Sequence, residues 1–229
     1  HALTKQILFR YSFEGGMIMP ENQDVSISRI FLYLDNPRHN PVKDQTQAIE
    51  YLCKKEDIFT LAQDIAKYGL NPMERLGLVP YDNNSNNHKS YFVAEGNRRI
   101  CAIKLLSDPD LAPVNLRKKF EKLAKTWTPI STISATIFIN VKEAERWMER
   151  IHNGPQGGIG RKPWNADQKA RFDDKNKNKT ALALLDYAEA QGMINGEERK
   201  VKLTTVQRFL SIPEFRKALG VDYSDSYKT

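Results

Sequence analysis

The sequence predicts an α/β (α+β) chain: a small mixed sheet with flanking helices over residues 20–175, then a helical subdomain over residues 176–229. Three observations predict it. Short apolar or alternating runs of strand length recur between stretches of helical period as far as Phe172. Beyond the run KNKNK, Lys175 to Lys179, every periodic stretch is helical, so that run is expected to be a linker. A content of 40% hydrophobic and 28% charged residues lets 229 residues bury a core large enough for such a chain.

The elements follow in order. Ile7, Phe9, Tyr11 and Phe13 alternate weakly and suit an edge strand or an arm. Val25 to Ile30 alternates like a short strand and runs into the turn chemistry of Asp35-Asn36-Pro37-Arg38. Asp44 to Lys55 reads as a helix with Ala48, Ile49 and Leu52 on one face. Asp57 to Tyr68 reads as a second, with Ile58, Leu61, Ile65 and Tyr68 inward and Gly69 as its stop. Leu76 to Tyr81 and Tyr91 to Glu95 are strands, and the Asn-rich stretch Asp82 to Ser90 joins them as a hairpin tip. A helix then covers Arg98 to Leu106. VNLRKKFEKLAKT, residues 114–126, is a basic amphipathic helix, Ile133 to Ile139 a strand, and Val141 to Ile151 a helix. A loop with four glycines between 154 and 160 follows, and Asn165 caps a helix to about Phe172. The helical subdomain contains Thr180 to Gln191, Thr204 to Leu210 and Pro213 to Leu219, with Thr204 or Thr205 as a cap and Gly220 as the last stop.

Composition narrows the function classes. No apolar run approaches the roughly 18 residues that span a bilayer, and no signal peptide is visible, so a cytoplasmic protein with no membrane partner is expected. The first residue is His rather than Met, which suggests a tag remnant or a fragment of a longer protein. Cys53 and Cys101 lie in apolar helical contexts and read as buried thiols of a reducing compartment. No Cys/His spacing suits zinc, and the four histidines are scattered. A net charge of +7 favours a polyanionic partner.

One stretch carries more chemistry. Glu95-Gly96-Asn97-Arg98-Arg99 falls where a strand hands over to a helix. A helix start exposes unpaired N–H groups and a partial positive charge. Gly96 permits close backbone approach, and two guanidinium groups offer forks for phosphate. The package suits an anion. The plainer alternative is that both arginines are solvated first-turn residues and Glu95 pairs with one of them.

Several blocks in this order resemble the ParB/sulfiredoxin-like superfamily, specifically its ParB N-terminal-like domain. They are SRIFLYLDNPR, LAQDIAKYGLNPMERLGLVPY, YFVAEGNRRICAIKLL, ISATIFINVKEAERWMERIHN and WNADQKARF, which together cover roughly residues 25–173. The resemblance implies a nucleoside triphosphate, CTP or ATP with Mg2+, held at the GxRR-type box. Carried over by position, Gly96, Asn97, Arg98 and Arg99 would face phosphates, with Arg38, Asn153 and Arg161 as further contacts. The family has Glu before its Asn where this chain has His152, and imidazole is a poor magnesium ligand. Glu149, one turn earlier on the same helix, or Glu95 could supply the carboxylate in its place. Asn97 fills the position of the cysteine that a sulfiredoxin needs, so sulfinic-acid reduction is not expected.

Three other features have two readings each. The loop GPQGGIG with Arg161 and Lys162 could cradle a phosphate by its N–H groups, or simply connect helices. The helix with Lys118, Lys119 and Lys122 could track DNA phosphates, or be a solvated face. The C-terminal helices could form a helix-turn-helix with Thr205, Gln207 and Arg208 on early turns of a recognition helix, or a plain packing unit. The expected function is a ParB-like nucleotide-binding, DNA-associated protein, possible NTPase activity being slow; the family often dimerises, so a homodimer is a further expectation. The alternative is a DNase or other phosphate-transfer enzyme of the same fold, with Glu95 catalytic, in a mobile-element or defence system. A third reading is an interaction module with a vestigial pocket.

Overall fold

The computed structural model describes residues 20–37, 39–81, 90–173 and 176–221. The expected N-terminal strand or arm, the hairpin tip at 82–89 and Arg38 lie outside them. The contacts divide the chain into two compact units, His1–Glu149 and Arg150–Thr229.

The first unit is built on a five-stranded mixed sheet, order β1-β5-β3-β4-β2. The strands are β1 (Glu21–Ser26), β2 (Ile30–Leu32), β3 (Leu76–Tyr81), β4 (Ser90–Glu95) and β5 (Thr132–Ile137). β1 pairs antiparallel with β5, β5 parallel with β3, β3 antiparallel with β4, and β4 parallel with β2. The single strand expected over Val25 to Ile30 is therefore two strands, at opposite edges of the sheet. A 3-10 turn, Ile27–Arg29, separates them. Four residue steps reach at most ~14 Å, whereas five flat strands spread over ~19 Å. The sheet must curl for this connection to close.

Four helices cover one face: α1 (Gln45–Lys55), α2 (Ile58–Tyr68), α3 (Asn97–Ser107) and α4 (Val114–Ala124). Their core joins Ile30, Leu32, Leu76, Leu78, Tyr91, Val93 and Ala135 of the sheet to Leu52, Ile58, Ile65, Ile103 and Phe120 of the helices. α3 is apolar almost all round, and Ile100, Cys101, Ala102, Ile103, Leu105 and Leu106 are all buried; such a helix belongs inside. Tyr68, expected inward on α2, is 71% exposed, with Lys67 Nζ 4.6 Å from its ring centroid. At the end of the helix its phenol reaches water while its ring keeps a cation. Side chains of alternate parity, Val79 and Ala94, point to the other face. There they pack with Phe138 and with Ala144, Trp147 and Met148 of α5 (Val141–His152). With both faces covered, β4 is buried continuously from Tyr91 to Ala94 apart from half-buried Phe92.

The exposed edge of β2 is closed by one side chain. The carboxamide of Gln45 accepts from Leu32 N–H at 2.8 Å and donates to Leu32 C=O at 2.9 Å. It imitates a neighbouring strand and occupies the backbone groups another chain could pair with.

The second unit contains α6 (Ala166–Phe172), α7 (Asn176–Ala190), α8 (Gly196–Leu210) and α9 (Pro213–Ala218). Its core is Ala170, Ala181, Leu185, Leu203 and Leu210. Two differences from the sequence reading stand out. The KNKNK run is not a linker, because α7 begins at Asn176 within it. α6 packs with α7 and α8, and Asp167 of α6 is paired with Arg199 of α8 at 3.2 Å. The division between compact units accordingly falls ahead of α6 rather than after it. The second difference concerns α8. It starts not at Thr204 but at Gly196, where Asn195 and Glu198 form a capping box. Arg199, Leu203, Val206 and Leu210 then share one face, so the helix runs unbroken through Thr204 and Thr205.

Candidate functional site

The site is built from the end of β4 upward. Gly96 has φ +102° and is the N-cap of α3. A Cβ there would lie 2.3 Å from Leu76 Cδ2 and 3.0 Å from Arg99 Nη2. Glycine is thus required twice, for its left-handed backbone and for the close approach of β3. Lacking a side chain, it supplies no cap to the first turn. The N–H groups of Asn97, Arg98 and Arg99 are those for which a helix provides no partner of its own.

The three side chains after Gly96 do different work. Asn97 is 4% exposed. Its Oδ1 accepts from Tyr33 N–H at 2.9 Å and its Nδ2 donates to Val93 C=O at 2.8 Å. It therefore ties the end of β2 to β4, and both ends of its carboxamide are committed to backbone. Beside it Tyr33 stacks on Phe92, ring centroids 4.8 Å apart. Burial pushes the Tyr33 hydroxyl above its ordinary pKa, and Asp35 and Glu145 add to this.

Arg99 folds back across Gly96. Its Nη1 donates to Glu74 C=O at 2.8 Å and its Nη2 to Arg75 C=O at 3.3 Å, with Glu95 Oε1 at 3.5 Å. It clips the entry of β3 to the exit of β4, and only 13% of its side chain is exposed. Arg98 donates through Nε to Glu56 C=O at 2.9 Å and lies 3.8 Å from the Glu56 carboxylate. Its side chain is 39% exposed. Of the two arginines, Arg98 has the more accessible guanidinium beside the uncapped helix start. The plain alternative, two solvated arginines, is not what the geometry shows: each is anchored on backbone carbonyls, and Arg99 does pair with Glu95.

The remaining predicted residues are dispersed. Glu149 is exposed on α5. Glu95 is drawn to Arg99. Among the described residues no group of three or more His, Cys, Asp or Glu could hold a metal ion. Asn153 is exposed just after α5, and Arg161 is exposed with its backbone N–H on Arg150 C=O at 2.8 Å. The glycine loop spends three of its N–H groups on itself. Gly158 and Gly160 donate to Pro155 C=O, and Ile159 to Gln156 C=O. A Cβ on Gly160 would lie 1.9 Å from Gly154 oxygen. Those glycines allow a tight turn closing the end of α5, and the N–H groups of Gly158, Ile159 and Gly160 are used inside it.

On α4, buried Phe120 anchors the helix and leaves Lys118, Lys119, Lys122 and Lys125 exposed. Lys118, Lys122 and Lys125 recur at i, i+4 and i+7, so they form one stripe. Lys119 Nζ lies 5.7 Å from the Phe59 ring centroid. Thr205, Gln207 and Arg208 sit in the later turns of α8, with Thr205 and Arg208 exposed. They are not on the early turns expected of a recognition helix.

No protein-family model matches the chain, and no curated protein matches it. Among solved structures, the chain is similar to the C-terminally truncated chromosome-partitioning protein ParB from Caulobacter crescentus complexed with CTP-gamma-S. Identity is 12% over 86% of this chain and 83% of that chain, with a TM-score of 0.39. The same protein complexed to the centromeric parS site matches at 14% identity over 86% of this chain and 78% of that one, with a TM-score of 0.25. Among the described residues no helix is long and apolar enough to cross a membrane.

Sequence reasoning missed the Gln45 edge closure and the roles of Asn97 and Arg99. It also missed Arg199, which is 5% exposed and bonded to Asp167, Asp186 and Glu189. The start of α8 was signalled by Asn195-Gly196-Glu197-Glu198. The partners of Arg199 had no local signal, because they come from two other helices.

Proposed function

We propose that the chain is a ParB-like nucleotide-binding, DNA-associated protein whose nucleoside triphosphate, CTP or ATP, places its phosphates at the N-terminus of α3. The observation that carries this reading is that uncapped helix start, with Gly96 at φ +102° and the half-exposed Arg98 guanidinium beside it. Backbone N–H groups aligned with a helix dipole and one accessible guanidinium are the chemistry a phosphate group needs. Asn97 and Arg99 act here by holding β2, β3 and β4 around the box rather than by donating to the ligand. Arg38, Asn153 and Arg161 enter through the sequence resemblance alone, as does Mg2+ with Glu149 as its carboxylate. Bound Mg2+ would neutralise charge between neighbouring phosphates.

The test is a melting screen of the full chain with ATP, CTP, GTP, UTP and ADP. At about 100 times Kd a nucleotide adds about 2.7 kcal/mol. At least one triphosphate is expected to raise the melting temperature of the wild type and to leave Arg98→Ala unmoved. Equal shifts in both proteins, or none in either, would refute the site.

The DNA contact in this reading is the lysine stripe of α4. Anisotropy of a labelled duplex should show affinity falling with salt. The double variant Lys118→Glu, Lys122→Glu should lower the steepness of that dependence by about 2 in log–log slope. An unchanged slope would remove the stripe from the reading.

A further inference from the structure

Two aromatic rings lie in contact on the surface of the second unit. Trp164, just ahead of α6, is 50% exposed, and Phe172, the last residue of α6, is 75% exposed. Their ring centroids are 4.8 Å apart and their planes are tilted by 58°. The rings are therefore not stacked on each other, and each keeps surface for a third ring. Another aromatic contact of this unit differs: Phe209 and Phe215 are stacked at 25°, so each spends a face on its neighbour. The other two tryptophans are committed to packing, Trp127 in the main core and Trp147 against the second face of the sheet.

The charge around the exposed pair is mainly positive. Lys162 is exposed two residues before Trp164. Lys169 is exposed three residues before Phe172, which puts their Cβ atoms about 5–6 Å apart on the helix surface. Neither lysine has an ion-pair partner among the described residues. Glu197, whose carboxyl feels Lys162, is bonded to Lys200. The acids of residues 161–173 are Asp167 and Asp173. Asp167 is buried and neutralised by Arg171 at 2.9 Å and Arg199 at 3.2 Å, so it adds little negative charge to this surface.

We propose that Trp164 and Phe172 are a stacking platform for unpaired bases of a single-stranded nucleic acid, whose phosphates run past Lys162 and Lys169. Open aromatic rings beside unpaired lysines are the combination that such a strand needs, one group for its bases and one for its backbone. A protein partner fits less well, because the cores of protein interfaces are depleted in lysine. A duplex fits less well too, since its bases stack on one another and present edges rather than faces. The site uses neither the N-terminus of α3 nor the lysine stripe of α4.

The test titrates the full chain with a labelled oligothymidylate of about 20 nucleotides, longer than a site of this kind covers, and with a duplex of equal length. The single strand should bind the wild type and quench its tryptophan emission. Trp164→Ala and Phe172→Ala should each weaken that binding about tenfold without changing its salt dependence, whereas Trp164→Phe should keep most of the affinity. The double variant Lys162→Gln, Lys169→Gln should lower the log–log salt slope by about 1.4. Duplex binding should be the same in Trp164→Ala as in wild type. Arg98→Ala should bind the strand as wild type does, so this site and the nucleotide pocket fail separately. The proposal is overturned if the wild type does not bind the strand, if binding leaves the emission unquenched, or if both alanine variants bind it normally. Equal losses for duplex and single strand would also overturn it. So would a self-associated wild type that Trp164→Ala converts to monomer, which assigns the face to a second copy of the chain.

Discussion

Gly96→Ala is expected to destabilise the sheet unit by about 3 kcal/mol. A non-glycine residue at a left-handed backbone costs about 1–2 kcal/mol, and forcing extra volume into a packed site costs about 1–3 kcal/mol. Both act here, because the new Cβ would lie 2.3 Å from Leu76 Cδ2 at φ +102°. Leu76 is 1% exposed and is held by core on every side, so it cannot swing away freely. Equilibrium urea unfolding, followed through Trp127 in the same core, measures the loss. Adding Leu76→Ala should relieve the steric part but not the backbone part, so the two changes should couple. A single variant as stable as wild type would show that the close approach of β3 to the box is wrong.

Arg199→Ala should have a comparable effect on the helical unit. Its guanidinium joins Asp167 of α6 with Asp186 and Glu189 of α7. Asp186 and Glu189 are 64% and 41% exposed at their side chains, so water replaces much of what they lose. Asp167 is different, being 4% exposed. Removing the partner of a buried charge costs about 3–5 kcal/mol. Arg171, 2.9 Å from Asp167, retains part of the pairing, which places the expected loss at the lower end, about 3 kcal/mol. Calorimetric melting should show it as a lowered helical transition. Replacing both members, Arg199→Met with Asp167→Leu, removes the stranded charge and should recover most of the loss. A lone Arg199→Ala that melts with wild type would show that the hub adds nothing.

These two positions also mark what sequence could and could not reveal. Helix ends set by local chemistry were legible. Asp44 and Asn165 cap α1 and α6, and Gly69 and Gly220 stop their helices at positive φ. The strands around the box were legible because β3 and β4 are short apolar runs. The alternation over Val25 to Ile30 misled for a specific reason. Val25 and Ile27 obey a period of two, but Ile27 and Ile30 are both buried at a spacing of three, the period of a 3-10 turn. Thr204 and Thr205 carry cap chemistry, yet the face through Leu203, Val206 and Leu210 keeps them inside a longer helix. At the box, the glycine and the helix start were readable from five residues. The division of labour was not, because the partners of Arg99 and Asn97 lie at Glu74, Arg75 and Tyr33, far along the chain.

That division concentrates the functional claim on the backbone of Asn97, Arg98 and Arg99 and on one guanidinium. The most direct measurement is a 1H–15N NMR titration of the full chain with CTP, with ATP and with inorganic tripolyphosphate. The amide signals of these three residues should shift most with at least one nucleotide, and should shift with tripolyphosphate too, while Arg98→Ala should abolish the movement. Amides at the start of α3 that stay fixed while others respond, or no response to any of the three anions, would contradict the account.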